Sequence, residues 1–184
     1  MVGSETTNVS SSHPHGRETT HWTAPETNGF KINFDGATFA ERDQAGVGVV
    51  IRNDAGLVMA SLTQQIPLLV SVIEVEALAA RRALEFALEV GFDDITLEGD
   101  SELLIKNLKS GGSQLTHYGN IATDILFLLS QFSRATLSFV KRHCNQLAHS
   151  LARRAFVTPN MSVWMEEVPP DLASVFLADF ESLP

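Results

Sequence analysis

Cysteine is nearly absent. Cys144 is the only one in 184 residues, so no internal disulfide can form and a reducing, intracellular setting (nucleus or cytoplasm) is expected. In that setting the glycosylation sequons at Asn8 and Asn160 read as accidental. Long apolar runs are missing as well. The longest, "LLVSVI" and "ILFLL", are far too short to span a bilayer, so no membrane association is expected. Residues 1–28 are polar and hold no stretch that could serve as the core of an export signal, so none is expected. There is no 20- to 50-residue repeat, and "GVGVV" lacks the third glycine of a dinucleotide loop and the lysine of a P-loop, which leaves it as a strand.

Positive charge is also scarce, with a formal net charge of -9, which argues at first against a nucleic-acid partner. The distribution changes this. Residues 29–157 hold 12 Lys and Arg against 14 Asp and Glu, so the middle of the chain is close to neutral and the excess sits in the flanks.

The flanks differ from the middle in pattern too. Residues 1–28 lack periodicity and read as a disordered polar lead-in, with Trp22 and Pro25 as candidate anchors and His13, His15 and His21 as incidental. From residue 158 onward, Pro159, Pro169, Pro170 and several acids suggest an irregular acidic tail, with "SVFLADF" a candidate short docked helix. A single domain over residues 29–157 is expected, and with it a monomer.

Within that domain "GFKINFDGATF" sets Phe30, Ile32 and Phe34 against Lys31, Asn33 and Asp35, the period of two of a strand. "AGVGVVIR" and, after the turn signal "NDAG", "LVMASLTQQ" read as second and third strands of an antiparallel meander. From Val72 the apolar spacing becomes three and four: Val75, Leu78, Ala79, Ala83, Phe86, Ala87 and Val90 mark a helix, with Ser71 as N-cap and Gly91 as its stop. "DDITLEGD" is a fourth strand, "SELLIKNLKS" a short helix, "NIATDILFLLSQF" a long one and "ATLSFVKR" a fifth strand. "NQLAHSLARRAF" is a helix that Asn145 should cap. The order β-β-β-α-β-α-α-β-α predicts an α/β (α+β) fold, a five-stranded mixed sheet covered by helices.

Four side chains stand out by position: Asp35 in the first strand, Glu76 early in the long helix, Asp100 after the fourth strand and His149 one turn into the last helix. Each also has a plain structural explanation. Asp100 before Ser101 fits a helix cap, Glu76 fits a first-turn acid complementing the helix dipole, and Glu74 competes with it. Asp35 is harder to explain this way, because Gly36 and Ala37 beside it suggest a place where another backbone or a ligand comes close. Three converging acids would repel one another and hold raised pKa values unless a cation sat among them, and hard Mg²⁺ or Mn²⁺ suits oxygen ligands.

"NFDGA", "EVEALAARRAL", "LEGDSELL" and "FVKRHCNQLAHSLARRA", in this order and on these element types, resemble the type 1 ribonuclease H domain. The resemblance covers about residues 22–157 and is strongest for the plant branch, found alone or at the C-terminal end of retroelement-like reverse transcriptase proteins. It implies a ribonuclease H-like fold and an endoribonuclease that cleaves the RNA strand of RNA–DNA hybrids, leaving 5′-phosphate and 3′-hydroxyl ends. It also implies two divalent ions, Mg²⁺ or Mn²⁺, held by Asp35, Glu76 and Asp100. In that arrangement ions about 4 Å apart activate the attacking water and stabilise the leaving oxygen.

The fourth position departs from the family pattern, with His149 where an Asp is usual. Imidazole is a poorer Mg²⁺ ligand than carboxylate, so the resemblance implies weakened Mg²⁺ activity, with His149 as auxiliary ligand, as proton carrier or as an idle surface residue. His143 falls near a loop histidine that the family associates with product release.

A basic insertion that some relatives use to grip the hybrid has no counterpart, since "SGGSQLTHYGN" contains no Lys or Arg. Grip would fall to Lys106, Lys109, Lys141, Arg142, Arg153 and Arg154, each taken singly better read as solvated surface charge, with Gly36, Ser101, His143 and Asn145 as further candidate contacts. Two other readings remain open: a nucleic-acid-binding module with weak or lost catalysis, and a fragment of a retroelement polyprotein.

Overall fold

The computed structural model describes residues 20–112 and 116–183. Most of the polar lead-in, with Asn8, His13 and His15, lies outside the described residues, as do residues 113–115 of the loop that lacks basic side chains. The sheet begins with β1 (Phe30–Phe39), β2 (Gln44–Arg52) and β3 (Val58–Pro67), an antiparallel meander. Helix α1 (Val72–Glu89) then crosses to β4 (Asp94–Gly99), which pairs in parallel with β1. After α2 (Glu102–Lys109) and α3 (Gly119–Leu129), β5 (Arg134–Phe139) pairs in parallel with β4. Helix α4 (Gln146–Arg154) follows.

Two elements lie in the stretch expected to be an irregular tail. Strand β6 (Met161–Met165) pairs antiparallel with β3, giving six strands in the order β5-β4-β1-β2-β3-β6 instead of five. Helix α5 (Ala173–Phe180) packs beside α4, and it is the short docked helix that "SVFLADF" suggested. The prolines that suggested irregularity sit outside β6, and the strand itself alternates Met161, Val163, Met165 with Ser162, Trp164. Among the described residues no helix is long and apolar enough to cross a membrane.

The helices divide between the two faces of the sheet. Helices α1, α2 and α3 cover one face, where Ile32, Phe34, Val49, Leu62, Leu84, Leu97 and Leu104 form the main core. Helix α4 covers the other with Leu147, Ala148 and Leu151 against Val50 and Val58, and α5 adds Val175 and Phe176. The glycines of "GVGVV" allow this second layer. A Cβ on Gly48 would run into the backbone of Ala148 and Ala152, so α4 rests directly on β2. Both faces of β1 are therefore buried, and the alternate residues Lys31, Asn33 and Asp35 are polar groups held inside the protein.

Candidate metal centre

Asp35 stands midway along β1, on the face that α4 covers, and is fully buried. Gly36 beside it marks a close approach of α1: a Cβ there would meet the Val75 side chain (Cγ1) at 2.7 Å and the Val75 backbone carbonyl at 3.3 Å, so α1 presses against β1 at this point. The same approach brings in Glu76, one residue after Val75. Asp100 comes off the end of β4, the parallel neighbour of β1.

Asp35, Glu76 and Asp100 each offer a carboxylate oxygen, and these oxygens all lie within 4.8 Å of one another. The competing explanations now separate. Glu74 forms a capping box with Ser71: Ser71 N donates to Glu74 Oε2 at 2.9 Å and Ser71 Oγ accepts from Glu74 N at 3.4 Å. Such a cap is worth about 1 kcal/mol and turns Glu74 away from Asp35 and Asp100. Asp100 does not cap α2; Ser101 holds that position, without a side-chain cap bond.

The electrostatics are those of crowded acids. Glu76 is 5% exposed and its Oε2 has no hydrogen-bond partner among the described residues. Burial, followed by the Asp35 and Asp100 charges, pushes its pKa up to about 9. The carboxyl of Asp100 is raised too, first by burial and then by Asp35, while Arg142 pulls it the other way. The donor set is three hard carboxylates, one of them with an unpartnered oxygen, in a place where negative charge is only partly compensated. That fits a divalent cation of the Mg²⁺ or Mn²⁺ kind.

His149 stands on α4 next to this cluster and outside the three mutually close oxygens. Its Nδ1 is 2.6 Å from Asp35 Oδ2 and 3.0 Å from Arg142 Nη1. A carboxylate only accepts and a guanidinium only donates, so Nδ1 can satisfy one of them. The shorter contact to the anion decides for Nδ1–H donating to Asp35, which leaves no lone pair on Nδ1 to bind a metal. Asp35 Oδ1 accepts from Gly36 N at 3.0 Å, so both carboxylate oxygens are oriented.

Arg142, expected only as a phosphate contact, lies against the edge of the cluster: its Nε donates to Asp100 Oδ2. It supplies positive charge where the three acids meet. Lys141 and His143 flank it and are exposed. Asn145 does not fit a role at nucleic acid, because it is fully buried. Its Nδ2 donates to Phe34 O at 2.9 Å, and its main-chain carbonyl accepts from His149 N at 3.0 Å, so it ties α4 to β1. Ser101 is half-buried at the start of α2. Lys106 pairs with Glu102 at 2.9 Å and Arg154 with Asp171 at 2.7 Å, while Lys109 and Arg153 are exposed.

Comparison with known proteins agrees with the fold. A ribonuclease H1 of the halophilic archaeon Halobacterium salinarum shares 30% identity with a TM-score of 0.65, over 70% of this chain and 98% of its own. The N-terminal ribonuclease H domain of a Mycobacterium tuberculosis protein shares 26% identity (TM-score 0.61), over 70% of this chain and 94% of its own. A compost-derived ribonuclease H1, solved in complex with an RNA/DNA hybrid, shares 21% identity (TM-score 0.60) and supports the fold alone, over 68% of this chain and 95% of its own. No curated protein matches the sequence. These structures define the class, a ribonuclease H-like α/β protein. A family model described as reverse transcriptase-like matches residues 33–155, and the chain belongs to this reverse transcriptase-like family of type 1 ribonuclease H domains.

Proposed function

We propose that this protein is a divalent-metal-dependent endoribonuclease that hydrolyses the RNA strand of RNA–DNA hybrids. The observation that carries this reading is the convergence of Asp35, Glu76 and Asp100, with ligand oxygens within 4.8 Å of one another. Asp35, Glu76 and Asp100 would hold Mg²⁺ or Mn²⁺, two ions in the completed site. When bound, such ions supply Lewis-acid charge and a water acidic enough to attack a phosphodiester near neutral pH.

The side chains prepare the site for that chemistry. Gly36 N and His149 Nδ1 fix the two oxygens of Asp35, so its carboxylate needs little reorganisation. Glu76 Oε2 is already desolvated and unpartnered, so it would give up no protein hydrogen bond on binding. Arg142 tempers the repulsion around Asp100 and, with Lys141 and His143, offers donors to phosphates at the edge of the site. His149 acts through Asp35, holding a proton against its Oδ2. The hybrid as substrate is supported by the family and by a ribonuclease H1 of the same fold that was solved holding one.

A second reading, a binding module with weak catalysis, is favoured by one observation: Arg142 donates to Asp100, a cation already engaging one of the three acids. Cleavage of a labelled RNA–DNA hybrid with Mg²⁺ and with Mn²⁺ separates the two. Wild type should cut with at least Mn²⁺, leaving 5′-phosphate ends. Asp35→Asn should lose activity by about 10²-fold or more, as when a group contacting the reacting charge is removed. Retarded hybrid in a gel shift without cleavage by either metal would decide for the binding module.

A further inference from the structure

Behind the carboxylates lies a second buried polar cluster that the chemistry above does not use. Its centre is Asn33, fully buried and two residues before Asp35 on β1. Asn33 Oδ1 accepts from Trp22 Nε1 at 2.8 Å and from Arg52 Nη2 at 3.2 Å. Its Nδ2 donates to Glu98 Oε2 at 2.8 Å and to Asn145 Oδ1 at 3.2 Å. A carboxamide has two acceptor lone pairs and two N–H groups, so this one is saturated and can point only one way.

The partners of Asn33 are joined to the candidate metal centre. Glu98 is the Cα partner of Asn33 in the parallel β1/β4 pairing and stands two residues before Asp100. Its Oε1 pairs with Lys31 Nζ at 3.1 Å and accepts from Ser138 Oγ at 3.0 Å. Asn145 opens α4 and receives the His149 amide. One amide therefore ties together the three elements that carry Asp35, Asp100 and His149.

On its other side the cluster ends in a charge that needs an answer. Arg52 is 1% exposed and its guanidinium lies 3.7 Å from the centre of the Trp22 ring. Its counter-ion is Asp179 of α5, with Nη1 to Oδ2 at 2.8 Å. Burial works against the charged form of Arg52, and Asp179 is the first of the groups that restore it. Trp22 and Asp179 both lie outside the matched residues 33–155.

We propose that Arg52 and Asp179 are positioning residues for the carboxylate site: α5 holds Arg52, Arg52 and Trp22 hold Asn33, and Asn33 sets β1, β4 and α4 relative to one another. The name "site" rests on the function proposed above, but the relationship between α5 and the start of α4 is physical and can be tested without it. The C-terminal segment is then part of the site's framework, 30 residues in sequence from His149 at Asp179.

The test compares wild type with Asp179→Asn, Arg52→Lys and a control, Val175→Ala, which loosens an apolar contact of the same helix and leaves the ion pair intact. Amide exchange is read by NMR on the full chain without metal. Asp179→Asn should speed exchange of the His149 amide by about tenfold or more, as expected of a local opening, while Val175→Ala, which loosens the apolar seat of α5 on α4 but keeps the ion pair, should move that amide clearly less. Arg52→Lys keeps the charge and loses the fork to Asn33, so it should give the same change if Asp179→Asn fails to fold. Mn²⁺ titration by calorimetry should show weaker binding by about 10- to 100-fold, the usual cost of losing support behind a metal ligand. An unchanged His149 amide in both variants, or an equal effect of Val175→Ala, would overturn the inference. Because the exchange measurement uses neither metal nor substrate, an inactive wild type would sink the enzyme reading without deciding this one.

Discussion

His149 Nδ1 sits 2.6 Å from Asp35 Oδ2, and the same nitrogen is 3.0 Å from Arg142 Nη1. The histidine thus meets the acidic cluster as a hydrogen-bond donor to one of its members. Arg142 lies beside the histidine and donates to Asp100, so two cationic or proton-bearing groups lie against three crowded carboxylates. Both soften the repulsion that a bound cation would otherwise have to relieve alone. Metal affinity and the stability of the metal-free protein should therefore change in opposite directions when either group is altered.

His149→Asp makes this opposition measurable. A carboxylate in place of the imidazole removes the donor to Asp35 and adds a fourth negative charge, so the melting temperature in chelator should fall. Mg²⁺ should restore it, and the Mg²⁺ concentration for half-maximal cleavage should drop by about tenfold, one charge-pair's worth at an effective dielectric between surface and interior. A half-saturating Mg²⁺ concentration equal to wild type would show that position 149 does not feel the metal.

The pH dependence follows from Glu76, whose folded pKa is pushed up to about 9 from a usual value near 4.5. Between those two values the folded state binds the proton more tightly than the unfolded chain. This contribution is complete below about pH 4.5 and is lost as pH rises through about 9. Melting temperatures of the metal-free protein should thus carry a component that declines from pH 5 to pH 9, and Glu76→Gln should flatten it. Mn²⁺ must displace that proton to bind, so the rise in melting temperature that it gives should grow with pH in wild type. A metal-induced rise independent of pH would contradict the placement of Glu76 among the ligands.

Much of this was legible in the sequence, and the exceptions have a common physical origin. The alternation of "KINFDGATF" and the three- and four-residue spacing after Val72 fixed β1 and α1, because each has one face packed in the main core. Alternation cannot report that the opposite face of β1 is buried as well, since Lys31, Asn33 and Asp35 look like a wet face until α4 and Trp22 cover them. The roles of Arg52 and Asp179 depend on an ion pair between residues 127 positions apart, which no local pattern encodes. Arg142 looked like any surface cation, and only the fold brings it to Asp100. Strand β6 is five residues long and pairs at the sheet edge, where the flanking prolines dominate the local signal.

Arg142→Ala isolates the cationic half of the opening relationship. Loss of the guanidinium leaves Asp100 without its donor, so its carboxyl pKa should rise further and the metal-free protein should lose stability at pH values above the usual carboxylate range. With the competing cation gone, calorimetry should record tighter Mn²⁺ binding. The KM for hybrid should rise and its salt dependence weaken by about one phosphate contact. Weaker Mn²⁺ binding would instead mean that Arg142 orients Asp100 for the metal.

Gly48→Ala tests whether the second layer must sit where it does. The added Cβ would collide with backbone atoms of Ala148 and Ala152, which cannot rotate aside as a side chain could, so α4 as a whole has to lift from β2. Overpacking of this kind costs about 1–3 kcal/mol, to be read from denaturant unfolding. The shift should also lengthen the contact between His149 on α4 and Asp35 on β1, so activity at a temperature where the variant is fully folded should fall along with stability. Gly91→Ala meets no atom within 4 Å but sits at a φ of +85°, so it should cost stability through backbone strain while leaving kcat unchanged. Equal losses of kcat in the two variants would show that activity follows general stability; a loss confined to Gly48→Ala would tie it to the seating of α4.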